Sequence, residues 1–489
     1  MVGKRRKIKN QSSRKTRNRE RVGKVQKKVG TQGLQEVVKT QLRRITFFVD
    51  GLRLRKWPIV HQTKAMDFAA ETGHLPVVEW LHANNSIQSC TINTMKSAAG
   101  GGHLNVLEWL KANRCDDCTH SSDAMDSAAA SGHLSVLEWL HAQVSLGKCC
   151  TTAAMDNASE GGHLAVLEWL QRKRSEGCTT WAMDHAAKNG HLEVIKWLRK
   201  KRTEGGTHWA IDNACANGHL EVAKFLRIAP TNLAMDCAAS NGHLSVVKWL
   251  DSLSYPTCTR EAMVGAAAGG HLTVVEWLHS MRDEGCTTQA MDMAAASGHL
   301  SVVMWLHTNR TEGCTSRAMV GAAAGGHLSV VEFLHHSRSE GCCTGAMDGA
   351  ATRGHLPVVK WLHAHRSEGC TVRAMNLAAL GGHLPVLEFL HAHRSEGCTT
   401  DAMDGAAGNG HLDVVRWLHT NRSEGCTTRA MDRAAGNGHL QVVKWLHANR
   451  SEGCTGQGVS AASRGGHSPV VEWMHVNRSE QFRPISTSV

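Results

Sequence analysis

Residues 427–454 read TTRAMDRAAGNGHLQVVKWLHANRSEGC, and the chain repeats that stretch, with substitutions, over most of its length. Its Gly-His pair recurs with histidine at 74, 103, 133, 163, 191, 219, 243, 271, 299, 327, 355, 383, 411, 439 and 467. From His243 onward every spacing is 28 residues, and the earlier spacings run 29, 30, 30, 28, 28 and 24. Self-similarity at a fixed period marks a stacked array of one supersecondary unit. The lopsided composition follows from it: 489 residues hold 47 Gly, 18 Met, 32 His and 15 Trp against 8 Pro and 1 Tyr.

Each unit divides into two short helices. Ala430, Met431, Ala434 and Ala435 share one apolar face at helical spacing. Thr428 is expected to cap that helix, and Gly436-Asn437-Gly438 to end it, because glycine reaches left-handed angles cheaply. In the second helix Leu440, Val443 and Leu446 form one stripe and Val442 and Trp445 a neighbouring one, so nearly all of its circumference except Gln441 and Lys444 is apolar or large. A helix apolar on so many sides needs neighbours on several sides, which flanking repeats supply. Asn449 to Gly453 form the polar loop to the next unit. Two helices and two turns consume the period, so the expected fold class is all-α: a solenoid of fifteen helix-turn-helix repeats.

GHLQVVKWL is similar to the second helix of the ankyrin repeat, and the preceding Ala-Ala with two variable residues resembles the end of that family's first helix. The resemblance covers about residues 61–478. The family's Thr-Pro-Leu-His opening aligns with Arg429-Ala430-Met431-Asp432, which keeps only the apolar third place. The period is also about five residues short of the family's ~33, and the missing residues fall where ankyrin proteins form a β-hairpin finger. A trimmed version with little or no β-hairpin is expected.

The ends and one junction depart from the unit. Residues 1–33 are expected to be a basic disordered tail, 34–60 a capping helix and linker, 61–480 the array, and 481–489 a second tail. Leu34, Val37, Val38, Leu42 and Ile45 suit a short amphipathic helix. Between His219 and His243 four residues are missing and Pro230 sits in the shortened connection, so a seam is expected at 226–233. Gln457-Gly458-Val459 and Met474 make the last repeat atypical, as terminal repeats are.

The net charge of +12 belongs to the N-terminus. Residues 1–30 hold 13 Lys/Arg and one acid, Glu20, and the rest of the chain is balanced. Any nucleic-acid contact is therefore confined to residues 1–30. No apolar run approaches the ~18 residues of a membrane span, so no membrane partner is expected. The first residues, basic from Lys4, lack the ~7–15-residue apolar stretch of a secretory signal. The 17 cysteines are accordingly expected to be reduced, packed thiols.

The repeated residues have structural readings. Twelve repeats end their loop in Cys, and ten place His after the aromatic-Leu or aromatic-Met pair, as at His447. Only Cys115-Asp116-Asp117-Cys118 shows half of a zinc pattern, with no second pair. The Gly-His imidazoles are expected to hydrogen-bond backbone groups, and the Trp or Phe six residues later, like the Met of Ala-Met-Asp, to be core. There is no phosphate-binding Gly-rich loop, nucleophile elbow or HExxH pair. No catalysis, cofactor or metal is expected.

Resemblance to ankyrin arrays implies a non-catalytic scaffold presenting a surface to protein partners. The candidate contacts are residues that vary between otherwise equal repeats: His185, Lys188, Asn213, Glu276, Met304, Arg353, Lys360, Leu380, Arg416 and Arg433. Lys4, Arg5, Arg6, Lys7, Arg14, Lys15, Arg17 and Arg19 resemble a nuclear localisation signal, which implies an intracellular protein, nuclear rather than cytoplasmic. The alternative is a nucleic-acid-associated adaptor tethered by that tail.

Overall fold

In the computed structural model of the protein the described residues are 59–84, 91–113, 122–143, 150–253 and 258–477. The expected tails, the capping segment up to residue 58, Cys115, Cys118 and the localisation-like basic residues lie outside them. The described residues form thirty helices in fifteen pairs and no strand. The chain divides into two compact units, Met1–Ala229 and Pro230–Val489. The first holds six pairs from Ile59–Glu71 to Leu220–Leu226, the second nine from Asn232–Ser240 to Ser468–Asn477.

One repeat explains the rest. Its first helix is Thr428–Gly436, and the residue that caps it is Thr427, not Thr428. Thr427 is extended at φ −112° and ψ 178°, and its hydroxyl accepts the Arg429 N–H at 3.1 Å. Asp404 of the preceding repeat accepts the Thr427 N–H and hydroxyl and so reinforces that cap. At the other end Gly438 takes φ 82°, the His439 N–H donates to Ala434 O at 2.8 Å and the Gly438 N–H to Ala435 O at 3.1 Å. That paired geometry closes a helix on a left-handed glycine. The chain then turns at His439 into the second helix, Leu440–Asn449.

First helices lie against the first helices of neighbouring repeats far more extensively than second helices lie against second helices. Small side chains cause this: Ala430, Ala434 and Ala435 are buried and let backbones approach closely. Met431 fills the remaining space, and Val442, Val443 and Leu446 seal the second layer. Each fully buried Val, Leu or Met contributes ~1.5–3 kcal/mol.

The aromatic slot is not the centre of the core. Among the described repeats only Trp169 is fully buried there; Trp305, Phe333, Trp361 and Trp445 are half-buried. Each ring stands edge-on to the histidine ending the previous second helix, as Trp305 does to His279 at 5.1 Å and 81°. Trp445 follows Lys444 on the rim of the apolar stripe, so one ring edge faces water.

The shortened repeat ends differently. Its second helix, Leu220–Leu226, has seven residues, and Arg227 closes it at φ 52° and ψ 31°. Arg227 is the one non-glycine residue with positive φ among those described. The division between the two units follows two residues later.

Candidate interaction surface

Most of the repeated polar residues are spent on joining repeats. The Asp of Ala-Met-Asp accepts two hydrogen bonds from the Thr that caps the next first helix. Asp292 takes the Thr315 N–H and hydroxyl, both at 2.7 Å, and Asp184 takes those of Thr207 at 2.8 Å. Where valine replaces the aspartate at Val320, cysteine replaces the threonine at Cys343, and both lie beside Gly345. The Gly-His imidazole reaches back one repeat: His163 Nε2 lies 3.1 Å from Ala130 O, and His191 Nε2 3.0 Å from Glu160 O. Its other edge rests on the preceding repeat's glycine, where a Cβ on Gly132 would come within 2.6 Å of His163 Nδ1.

The loop adds a third rung. Arg310 makes a two-pronged pair with Glu312, and its Nη1 donates to His279 Nδ1 at 3.3 Å. The same guanidinium lies over Gly285 of the preceding loop. Nine described loops carry this Arg-Glu pair. The sequence reading missed both the aspartate and the Arg-Glu roles.

The ten candidate contact residues are distributed over both units. His185, Lys188 and Asn213 lie on first helices of the first unit, Arg353, Leu380 and Arg433 on or just after first helices of the second. Glu276, Met304, Lys360 and Arg416 lie on second helices. Several have internal work. Arg353 donates to Ala324 O at 3.3 Å, and Lys360 stands over the Phe389 ring at 5.9 Å. Leu380 covers Gly405, where an added Cβ would sit 3.0 Å from it, and Arg433 covers Gly408 at 3.1 Å. Variation between repeats is thus partly steric pairing, a large residue set against a glycine across the junction. Gly321 against Ala296 at 2.7 Å and Gly349 against Ala324 at 2.9 Å are the small-on-small form.

Two residues outside the candidate set are the most exposed large aromatics among those described. Trp181 and Trp209 occupy the same place in consecutive first helices and are 63% and 58% exposed. The Trp181 ring stacks on His185 at 4.5 Å, leaving its other face open. A signal for them was present. Twelve repeats use Trp in the aromatic slot and the chain has 15, so three, Trp57, Trp181 and Trp209, stand outside it.

The family model described as ankyrin repeats (many copies) matches residues 183–227, 347–391 and 402–447. These repeats are ankyrin repeats. The ankyrin array carries no β-hairpin finger among the described residues: a six-residue connection, Arg422 to Thr427, joins Asn421 to Thr428. No curated protein matches the chain in sequence. Among solved structures it is similar to the pentatricopeptide repeat protein PPR10 from maize, at 12% identity, covering 93% of this chain and 78% of that one with a TM-score of 0.33. The structure of PPR10 in complex with an 18-nt psaJ RNA element is similar at 9% identity, 93% and 89% coverage and a TM-score of 0.26.

The array's titratable groups are tuned by packing. Burial pushes the Cys286 thiol up to about 11 and that of Cys370 up to about 12, keeping both protonated and poor nucleophiles. Among the described residues no cysteine is in a disulfide, no group of three His, Cys, Asp or Glu is placed to hold a metal, and no helix is long and apolar enough to cross a membrane. Burial also holds His163, His355 and His439 below their ordinary 6.5, and neighbouring Gly-His imidazoles push the same way. A base with a depressed pKa binds fewer protons folded than unfolded. Its contribution to stability is present above the unfolded value and is lost as pH falls below 6.5. Glu312 and Glu396, drawn down to about 2 by Arg310 and Arg394, hold their contribution above 4.5 and lose it only toward 2. The thermal midpoint of the full chain is therefore expected to drop between pH about 7.5 and about 5. A flat profile across that range would overturn the imidazole assignment.

Proposed function

We propose that the ankyrin array is a non-catalytic scaffold that binds protein partners through its row of first helices, and that the basic N-terminus directs it to the nucleus. The observation that carries the first part is the exposure of Trp181 and Trp209, at 63% and 58%, on consecutive helices. Neither indole is needed for stacking, since other repeats put Gln289, Arg317 or Arg373 in that place. Tryptophan dominates protein interfaces because it buries a large area at little cost in rotamer freedom. His185, Lys188 and Asn213 lie on the same two helices and supply polar contacts.

The test is affinity capture with nuclease treatment, comparing the full chain with its Trp181→Ala/Trp209→Ala variant and identifying the bound proteins. Partners held by the parent are expected to fall about tenfold with the variant while the thermal midpoint stays in place. A second variant with alanine at Lys4, Arg5, Arg6, Lys7, Arg14, Lys15, Arg17 and Arg19 is expected to keep those partners and lose nuclear accumulation of a fluorescent fusion. Partners that follow the tail and vanish with nuclease would replace this reading with the nucleic-acid adaptor.

A further inference from the structure

The shortened repeat leaves a cationic notch on the row of second helices in the first unit. Leu192–Lys201 has ten residues and the following second helix, Leu220–Leu226, only seven, so its final turn is missing beside its neighbour. The open space is about 560 Å³. Leu192 and Phe225 form a half-buried floor. Arg199 leans across from the longer helix, donates to Phe225 O at 2.9 Å and stands over the Phe225 ring at 5.4 Å. Arg227, in its left-handed turn, places a further cation on the rim.

The remaining cations are weakly committed. Lys196 pairs only with Glu193 at 2.7 Å and Lys224 only with Glu221 at 2.9 Å, and both glutamates are 72% exposed. Such exposed pairs contribute little and exchange readily with an incoming carboxylate. Beyond the notch Lys200 and Lys201 extend the positive charge, as do Arg172 and Lys173 one repeat earlier. Cations do complement a helix C-terminus. Other second helices nevertheless end in His-Ala-Asn at 447–449 or His-Thr-Asn at 419–421, so the scaffold does not require this charge.

We infer that this notch binds an acidic peptide segment of a protein partner, its carboxylates meeting Lys196, Lys224 and Arg227 and an apolar side chain lying on Leu192 and Phe225. Two features favour a peptide over a polynucleotide. Arg199 already stands over the Phe225 ring at 5.4 Å and competes with a base for that face. Glu221 lines the notch itself and interrupts a continuous phosphate track. The site is separate from the exposed indoles on the first helices.

The probe is a fluorescein-labelled peptide of alternating Glu and Leu, titrated by fluorescence anisotropy into the full chain. Lys196→Gln with Arg227→Gly removes two cations from the notch, and glycine keeps the left-handed turn without strain. That variant is expected to bind about tenfold more weakly. Lys248→Gln with Lys444→Gln removes the same charge from second helices elsewhere and is expected to change binding less than about twofold. The Trp181→Ala/Trp209→Ala variant is expected to bind the peptide normally, so the two readings fail separately. Equal losses in both glutamine-bearing variants, no loss in either, or a single-stranded oligonucleotide that binds more tightly with the same notch dependence would each overturn the proposal. Unchanged thermal midpoints establish that the variants are folded. If Arg227→Gly lowers the midpoint, Lys196→Gln with Lys224→Gln carries the same expectation.

Discussion

Replacing Gly298 by alanine is expected to destabilise the array by about 3 kcal/mol, from roughly equal backbone and packing costs. Gly298 sits at φ +80°, a region that an L side chain enters at ~1–2 kcal/mol. Its new Cβ would also come within 2.4 Å of His327 Nδ1, and that imidazole cannot retreat. On its far side a Cβ on Gly325 would approach His327 Cδ2 and Nε2 at 2.5 Å, so the ring is held between two glycines. The fair comparison is Gly466→Ala, in the same position of the last repeat. Gly466 has φ +74° but nothing within 4 Å of an added Cβ, because no imidazole follows it. It is expected to show only the backbone cost, about 1.5 kcal/mol. Urea unfolding of the two full-length variants gives the totals. Hydrogen exchange over residues 288–337 locates the first loss at the junction of two repeats, as nearest-neighbour stacking requires. Equal losses in the two variants would mean that the imidazole is not the glycine's partner.

The same pair shows what could be read from the sequence. Ala430, Met431, Ala434 and Ala435 reveal a helix because the face they form lies within one unit, and the left-handed glycine is announced by Gly436-Asn437-Gly438. Contacts across a junction are harder to see. A strict 28-residue period makes every recurring residue equally prominent and hides which neighbour it touches. Asp432 and Thr455 stand 23 residues apart and belong to different units of the pattern, so their 2.8 Å bond is invisible when units are aligned in a stack. Gly405 reads as tolerated variation until it is set against Leu380 of the preceding repeat. The aromatic slot misled for a geometric reason: Trp445 lies between Val443 and Leu446 along the helix, but it follows Lys444 and is only half-buried in space. Trp181 and Trp209 were outside the pattern and detectable by counting, yet nothing in the sequence alone says that their helix face is open to solvent.

Asp404→Ala is expected to cost about 2 kcal/mol, since it removes the acceptor of two half-buried donors, one of them a backbone N–H. Asp404 is 1% exposed; its Oδ1 accepts the Thr427 N–H at 2.8 Å and its Oδ2 the Thr427 hydroxyl at 2.5 Å. Without it the Thr427 N–H has no acceptor, although the cap itself is expected to persist, as Thr287 stays extended and accepts the Gln289 N–H at 3.3 Å opposite Val264. The protein contains its own milder replacements. Asn376 stands where the aspartate would be: Oδ1 accepts the Thr399 N–H at 2.9 Å, and Nδ2 donates to the Thr399 hydroxyl at 2.8 Å. That hydroxyl then points its proton at Asp401 Oδ2, 3.3 Å away. Asp404→Asn is therefore expected to cost under about 1 kcal/mol, because a neutral amide satisfies the same two atoms. The Val320 and Cys343 pair suggests a second route, with both polar partners removed together. There the following Thr344 is helical at φ −50° and makes no side-chain cap, so the junction survives by forgoing the hydrogen bonds. Asp404→Val and Thr427→Cys, each harmful alone, are expected to be less harmful combined than their sum by about 1–2 kcal/mol. A double-mutant cycle in urea measures that coupling directly. Strict additivity, or an asparagine variant as damaged as the alanine one, would show that stacking of the alanine faces rather than this clasp holds neighbouring first helices in register.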